Sequence, residues 1–125
     1  MRTVWLFAAM ALSALLAVLE DVTLRYYILW YHPWFDTVLH TIGGAAIGTF
    51  VIALLHDSFQ PVRYLFLAVI AAIGWEVFEY AIGSSQVSPV NFTLDTSSDL
   101  LFDTIGALIP YAIARLTHWR PSLHA

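Results

Sequence analysis

Four long apolar stretches, separated by short polar or aromatic connections, dominate this 125-residue chain. An α-helix needs about 20 mainly apolar residues to cross the hydrocarbon core of a bilayer. The pattern therefore predicts four transmembrane helices, over about residues 3–19, 35–55, 64–83 and 98–116. We interpret residues 1–125 as a single all-α domain, a polytopic membrane protein whose four helices form an antiparallel bundle.

The predicted connections differ in character. Residues 20–34 are rich in Tyr and Trp, which is typical of a segment at the headgroup level of a membrane. Residues 56–63 form a short turn that contains Pro61, and residues 84–98 form a polar loop whose Ser and Thr residues are candidate N-caps for the last helix. Arg2 followed by an apolar run also resembles a signal peptide. No small-x-small cleavage site precedes Glu20, however, so we favour an uncleaved first helix.

Composition agrees with the membrane class. Hydrophobic residues make up 60% of the chain and charged residues only 11%, whereas soluble domains are about a quarter charged. The chain has no cysteine, which excludes disulfides and thiolate metal ligands. Its five basic residues are all Arg and are scattered, which excludes a nucleic-acid surface.

The few basic residues set the predicted orientation. Four of them lie at the N-terminus, the second connection and the C-terminus, which this topology places on one side: Arg2, Arg63, Arg115 and Arg120. Only Arg25 lies on the other side. Because basic residues favour the cytoplasmic side, we expect both termini in the cytoplasm.

The carboxylates gather on the opposite side. Under this topology eight of the nine acidic residues fall at the outer helix ends or in the outer connections, and only Asp57 faces the cytoplasm. At about 1.5 Å of rise per residue, His40, Glu79 and Asp103 each lie about one turn inside the outer end of their helices. Glu76 lies about one turn deeper. Antiparallel helices thus bring these residues to a similar level.

The spacing of these residues also selects helix faces. Each of three pairs, three or four residues apart, shares one face; the pairs are Asp36 and His40, Glu76 and Glu79, and Asp99 and Asp103. The face of His40 continues into Gly44 and Gly48, a small-residue stripe that permits close helix approach. We therefore predict that these six residues form an extracytoplasmic site in the bundle, with Asp95 above it on the loop.

One imidazole with several carboxylates and no thiolate is a hard to borderline ligand set. It suits Mg²⁺, Mn²⁺, Ca²⁺, Zn²⁺ or ferrous iron, and the sequence leaves the identity of the divalent metal open. The predicted ligands are Asp36, His40, Glu76, Glu79, Asp99 and Asp103. Glu76, Glu79 and His40 are also the predicted catalytic residues, because neighbouring carboxyl groups in a low dielectric can act as one acid and one base.

Other functions fit the same residues. Acidic residues and a histidine inside a bundle also form proton or cation paths, although a chain this short would then need to form a homo-oligomer. A non-catalytic accessory subunit could bind a cation only for structure. Acidic residues at helix N-termini, such as Asp36 and Asp99, can also simply complement the helix dipole near water.

Three segments resemble the pattern of the VanZ-like and YjdF-like small bacterial membrane proteins. They are "DTVLH" (residues 36–40), "WEVFEY" (75–80) and "DTSSDLLFDTIGA" (95–107). The YjdF-like pattern is the closer of the two, since Glu79 and Asp103 stand where VanZ-like proteins tend to have Gln and Asn. The resemblance implies a multi-pass protein of the bacterial cytoplasmic (inner) membrane with an acid-rich site. We hypothesise metal-dependent hydrolysis or transfer on a lipid-linked or envelope substrate, with the lipid bilayer as the protein's surroundings.

Overall fold

The computed structural model describes residues 2–82 and 91–117. Across these residues the chain is helical and has no strand, which confirms the all-α prediction. The five α-helices are α1 (Arg2–Arg25), α2 (Ile28–Tyr31), α3 (Phe35–Leu55), α4 (Pro61–Ile82) and α5 (Phe92–Leu116), and a 3-10 turn, His56–Ser58, follows α3.

Three of the helices, α1, α3 and α4, are long and apolar enough to cross a membrane. Their exposed surfaces are apolar as well. On α1, for example, Val4, Phe7 and Met10 are exposed by 65–70%, which suits contact with lipid. The fourth long helix, α5, has 25 residues but carries three aspartates and Arg115. The predicted fourth span therefore stays a prediction.

Three helix boundaries differ from those predicted, and each helix begins earlier or ends later than its apolar stretch. α1 continues to Arg25, where the Nε–H of that residue donates to Asp21 Oδ2 at 2.6 Å one turn back. α4 begins at Pro61, because proline is favoured in the first turn of a helix, where its missing N–H costs nothing. α4 is described as far as Ile82, so its predicted end at residue 83 lies outside the described residues.

The start of α5 was also predicted wrongly. The helix begins at Phe92, six residues before the predicted start, so Asp95 lies in its first turn and not in a loop. Asn91 occupies the N-cap position and makes no side-chain capping bond, so the predicted Ser and Thr caps are not used. Residues 84–90 of the predicted loop lie outside the described part of the chain.

α3 is the central helix and packs against α1, α4 and α5. It contacts α5 through glycine. A Cβ atom on Gly44 would overlap the backbone of Asp103, and a Cβ on Gly106 would overlap the carbonyl oxygen of Thr41. The two helices are thus in backbone contact at this level, which confirms that the stripe following His40 serves close packing.

The end of the bundle opposite to the acidic residues is closed by aromatic rings. Phe59, Tyr64 and Tyr111 lie with ring centroids 5.4–5.9 Å apart. The Tyr64 hydroxyl donates a hydrogen bond of 2.5 Å to the carbonyl oxygen of Ala107 and joins α4 to α5. These contacts leave the acidic end as the open end of the bundle.

We expect Gly44→Ala to destabilise the protein by about 1–3 kcal/mol, the usual cost of forcing extra volume into a packed interior. The cause is the overlap of the added methyl group with the backbone of Asp103, which cannot rotate away as a side chain would. The measurement is the free energy of unfolding in detergent, followed by circular dichroism.

The matched control is Gly43→Ala. A Cβ there would meet only Leu16 and the Asp103 carboxylate, at 3.5 and 3.7 Å, which is ordinary van der Waals contact. Gly43→Ala should therefore change the stability little, since both variants add the same methyl group to neighbouring positions of α3. Equal destabilisation by both variants would contradict the backbone contact.

Candidate functional site

His40 is the centre of the acidic end. It lies in the second turn of α3 and its side chain is 6% exposed. Carboxylate oxygens flank both of its ring nitrogens. Nε2 lies 3.9 Å from Asp36 Oδ1 and 3.7 Å from Asp99 Oδ1. Nδ1 lies 3.8 Å from Glu76 Oε1 and 3.4 Å from Asp103 Oδ1. A single imidazole is thus surrounded by carboxylates from three helices.

Helix direction and spacing explain this convergence. α3 and α5 begin at the acidic end and α4 ends there, so residues one or two turns from those helix ends share a level. Asp36 lies one turn before His40 on the same face of α3. The close approach at Gly44 then carries Asp103 against α3, one turn from His40.

The six residues of the predicted site therefore lie together, and we call them the His40 cluster: Asp36, His40, Glu76, Glu79, Asp99 and Asp103. Two groups of three have ligand atoms within 4.8 Å of one another. One consists of Asp36, His40 and Asp99, and the other of His40, Glu76 and Glu79. Asp103 belongs to neither group, although its Oδ1 makes the shortest contact to His40.

Three of the four contacts of His40, at 3.7–3.9 Å, are too long for hydrogen bonds, which in proteins join N and O at about 2.7–3.2 Å, and the 3.4 Å contact to Asp103 is a long one. Two carboxylate oxygens in the cluster, Glu76 Oε1 and Asp103 Oδ2, are fully buried and lack a hydrogen-bond partner among the described residues. A buried polar atom without a partner costs about 1–3 kcal/mol, and more when it is charged. The cluster therefore has unused capacity to bind a proton, a water molecule or a cation.

A cavity of about 440 Å³ opens above the cluster, within the usual range of small-molecule sites. Its acidic and histidine lining residues are Glu20, Asp36, His40, Glu76, Glu79, Asp95 and Asp99. The rest of the lining is Thr23, Leu24, Leu29, Trp30, Pro33, Tyr80, Phe92 and Thr96. Among these described residues there is no Arg or Lys, so His40 is the one lining side chain able to carry positive charge.

Glu20 and Thr23 were missed as site residues by the sequence analysis. Hydropathy placed Glu20 in a connection because the apolar stretch ends at Leu19, whereas α1 continues for another turn and a half. The spacing of three residues between Glu20 and Thr23 places both on one face of a helix. That spacing, together with the absence of Gly and Pro before residue 26, indicates that the helix continues past Leu19.

Aromatic residues are concentrated in the connection between α1 and α3, at the acidic end of the bundle. Leu29 and Trp30 of α2 form part of the cavity wall, as expected for the aromatic connection. Four further rings of this connection are exposed by 64–72%: Tyr26, Tyr27, Tyr31 and Trp34. Tyr and Trp concentrate at the membrane–water interface, so this composition indicates a headgroup-level position for the acidic end.

Helices with apolar outward surfaces, aromatic residues at one end and a buried polar cluster define an integral membrane protein. The chain belongs to the family described as "Predicted membrane protein (DUF2238)", whose family model matches residues 2–120. No curated protein and no solved structure matches the chain.

Replacing His40 with Phe should destabilise the protein by about 3 kcal/mol at neutral pH in the presence of a chelator. The variant removes the central imidazole and leaves its four carboxylate neighbours to repel one another without compensation. Acid neutralises carboxylates and so weakens their mutual repulsion, so the stability difference between the variant and the parent should shrink as the pH falls. The measurement is thermal unfolding across a pH series.

His32→Phe is the control, because His32 is exposed and lies at the same end of the bundle. It should show neither the loss of stability nor the change in its pH dependence. If the two variants follow the same pH profile, His40 does not compensate the surrounding carboxylates.

Proposed function

We propose that the His40 cluster binds a divalent metal ion at the extracytoplasmic end of a four-span membrane bundle. The observation that carries the proposal is the single imidazole with carboxylate oxygens on both ring nitrogens, together with the two buried carboxylate oxygens that lack partners. A cation among these groups would offset the repulsion of the carboxylates and satisfy the unpartnered oxygens.

The spacing of the candidate ligands supports this. Metal–ligand distances of about 2.0–2.4 Å imply neighbouring ligand atoms about 2.8–3.9 Å apart, depending on coordination geometry. The His40 nitrogens lie 3.4–3.9 Å from the four carboxylate oxygens. On either side of the ring, small side-chain rotations would bring one His40 nitrogen and its two neighbouring carboxylate oxygens to a common centre. The predicted ligands are all six residues of the cluster, and metal analysis decides the metal's identity.

The proposed fourth span is α5, and its faces support that assignment. Its aspartates at positions 99 and 103 are buried, being 6% and 3% exposed. Its outward side chains are apolar and exposed by 42–56%: Leu101, Ile105, Leu108, Ile109 and Ile113. These two aspartates thus face the bundle, as charged residues in membrane helices usually do. Four spans place both termini on one side, which the arginine distribution makes cytoplasmic.

The proposed reaction is metal-dependent hydrolysis or transfer on a lipid-linked or envelope substrate. A bound divalent metal would polarise a substrate oxygen or activate water, and the proposed role of Glu76, Glu79 and His40 is to move protons beside it. The position of the cavity at headgroup level supports a membrane-derived substrate. The resemblance to the VanZ-like and YjdF-like proteins supports location in the bacterial inner membrane.

Binding of a cation or proton without catalysis is the second candidate. An imidazole flanked on both nitrogens by carboxylates also suits proton transfer, because each nitrogen faces its own acceptors. In that case the cluster would serve a transport component or an accessory subunit, and metal content separates the two candidates.

The protein purified from cells should contain a stoichiometric divalent metal, which elemental analysis by plasma mass spectrometry measures. Asp99→Asn and Glu79→Gln should each reduce the metal content sharply, because each removes a charged ligand without changing the size of the side chain. Asp21→Asn is the control, since Asp21 pairs with Arg25 on the exposed side of α1. Adding the metal at about a hundred times its Kd should stabilise the parent by about 2.7 kcal/mol.

The metal proposal would be contradicted if the parent contained no metal and no added divalent ion stabilised it. That result would favour the proton-binding candidate. Equal metal content in the parent, Asp99→Asn and Asp21→Asn would place any metal elsewhere.

A cysteine added before Met1 and one added after Ala125 should both be protected from a membrane-impermeant maleimide in intact cells. Four spans and the cytoplasmic bias of arginine predict this result. The chain has no cysteine of its own, so labelling reports the added residues alone. Labelling of only the C-terminal cysteine would show that α5 does not complete a fourth crossing.

A further inference from the structure

The cavity is larger than a metal ion requires, and its outer part has a different lining from the His40 cluster. A cation with its ligands occupies only a few ångströms, whereas the cavity measures about 440 Å³. Helix register places Tyr80 one turn outward from Glu76 on α4, and Asp95 one turn outward from Asp99 on α5. Lining residues that do not belong to the His40 cluster include Glu20, Thr23, Trp30, Tyr80, Phe92 and Asp95, and we call this set the outer part of the cavity.

This outer lining combines carboxylates with aromatic rings. Tyr80 of α4 and Phe92 of α5 meet edge to face, with ring centroids 5.6 Å apart, and Trp30 of α2 lies on the same cavity. The face of an aromatic ring attracts a cation, most strongly when the ring is Trp. Glu20 and Asp95 add negative charge, and no described lining residue of the outer part is basic.

Thr23 supplies an independent indication that a ligand binds here. The residue is 2% exposed, and its Oγ1 is buried without a hydrogen-bond partner among the described residues. It lines the cavity one turn along α1 from Glu20. Threonine hydroxyls inside helices commonly donate to the carbonyl oxygen one turn back, as Thr41, Thr49 and Thr104 do. Thr23 does not, so its hydroxyl is available to a molecule in the cavity.

We infer that the outer part of the cavity binds an organic ammonium group, held by the carboxylates of Glu20 and Asp95 and by the rings of Trp30, Tyr80 and Phe92. The Thr23 hydroxyl would bond to a polar atom of the same molecule. The inference needs no metal in the His40 cluster. Because the cavity lies at headgroup level, the ammonium group belongs either to a lipid headgroup or to a free amine, and the chemistry of recognition is shared.

Choline is the probe, and titration of the purified full chain in detergent by isothermal calorimetry is the measurement, with a chelator present throughout. Choline should bind saturably. Its neutral isostere, in which a quaternary carbon replaces the nitrogen, should bind at least about tenfold more weakly, because it has the same shape without the charge. Equal binding of the two compounds, or no saturable binding of choline, would overturn the inference.

Two pairs of variants locate the binding site. Glu20→Gln and Trp30→Leu should each weaken choline binding by about tenfold. The matched controls are Asp21→Asn, which removes a carboxylate charge outside the cavity, and Trp34→Leu, which removes an indole ring outside it. Both should leave binding unchanged. Thermal unfolding checks that each variant is folded. Trp30 is 79% exposed, so its variant keeps the inference testable should Glu20→Gln be unstable. If a variant and its control weaken choline binding equally, the assigned site is wrong.

Asp103→Asn separates this inference from the metal proposal. Asp103 touches His40 but does not line the cavity, so the variant should lose metal and keep its affinity for choline. Loss of choline binding in Asp103→Asn, measured with chelator present, would show that the two sites are not separate and would contradict the inference.

Nanodiscs distinguish the two sources of the ammonium group. In discs of phosphatidylglycerol alone, choline should bind as it does in detergent. If a lipid headgroup is the ligand, including phosphatidylcholine in the discs should weaken the binding of added choline in proportion to its fraction. If a free amine is the ligand, both kinds of disc should give the same affinity. Failure of choline to bind in phosphatidylglycerol discs would overturn the inference for the membrane-embedded protein.

Discussion

The backbone contact between α3 and α5 determines where everything at the acidic end lies. At Gly44 and Gly106 the two helices approach so closely that neither position has room for a methyl group. Helices in a membrane gain little from the hydrophobic effect when they associate, so close packing of small residues supplies much of the attraction. The residue that Gly44 touches is Asp103, whose carboxylate lies 3.4 Å from His40. The main packing contact and the candidate site are therefore adjacent parts of one structure.

This geometry brings an electrostatic cost with it. Four carboxylates surround His40, and further acidic residues line the cavity above, without Arg or Lys among the described lining residues. Arg25 lies near the same end of the bundle, yet its Nε bonds to Asp21 on the exposed side of α1. The bundle thus leaves the negative charge of the cavity to be balanced by protons or by a bound cation. Occupancy of the cavity and stability of the folded protein are linked, because a ligand that binds only the folded state stabilises that state.

Much of this arrangement is predictable from the sequence because it depends on helical period and helix direction. The bounds of α3 agree with the prediction at both ends, and the six residues of the His40 cluster lie together as their spacing predicts. Their role stays a prediction. A bound metal would come from outside the chain, and the spacing of the residues does not identify which ion it is.

The errors have a common physical cause. Hydropathy measures transfer into lipid, whereas a helix continues for as long as its backbone hydrogen bonds do. Residues 20–25 of α1 and residues 92–97 of α5 are helical although polar residues interrupt their apolar pattern. Glu20, Thr23 and Asp95 among them line the polar cavity. At the acidic end, the apolar stretches of α1 and α5 therefore stop short of the helix termini. Glu20 was missed for this reason, and Asp95 was assigned to a loop.

The same reasoning applies to α5 as a whole. A charged side chain near the middle of a membrane helix costs about 2.5–3.5 kcal/mol on insertion scales, so an isolated α5 with Asp99 and Asp103 would insert poorly. Packed against α3, both aspartates are buried beside His40 and the outward face is left apolar. The two aspartates that weaken α5 as an independent span are thus the residues that lie beside His40 of α3. As the proposed fourth span, α5 would insert together with α3, so that the acidic site and the α3–α5 pair form together.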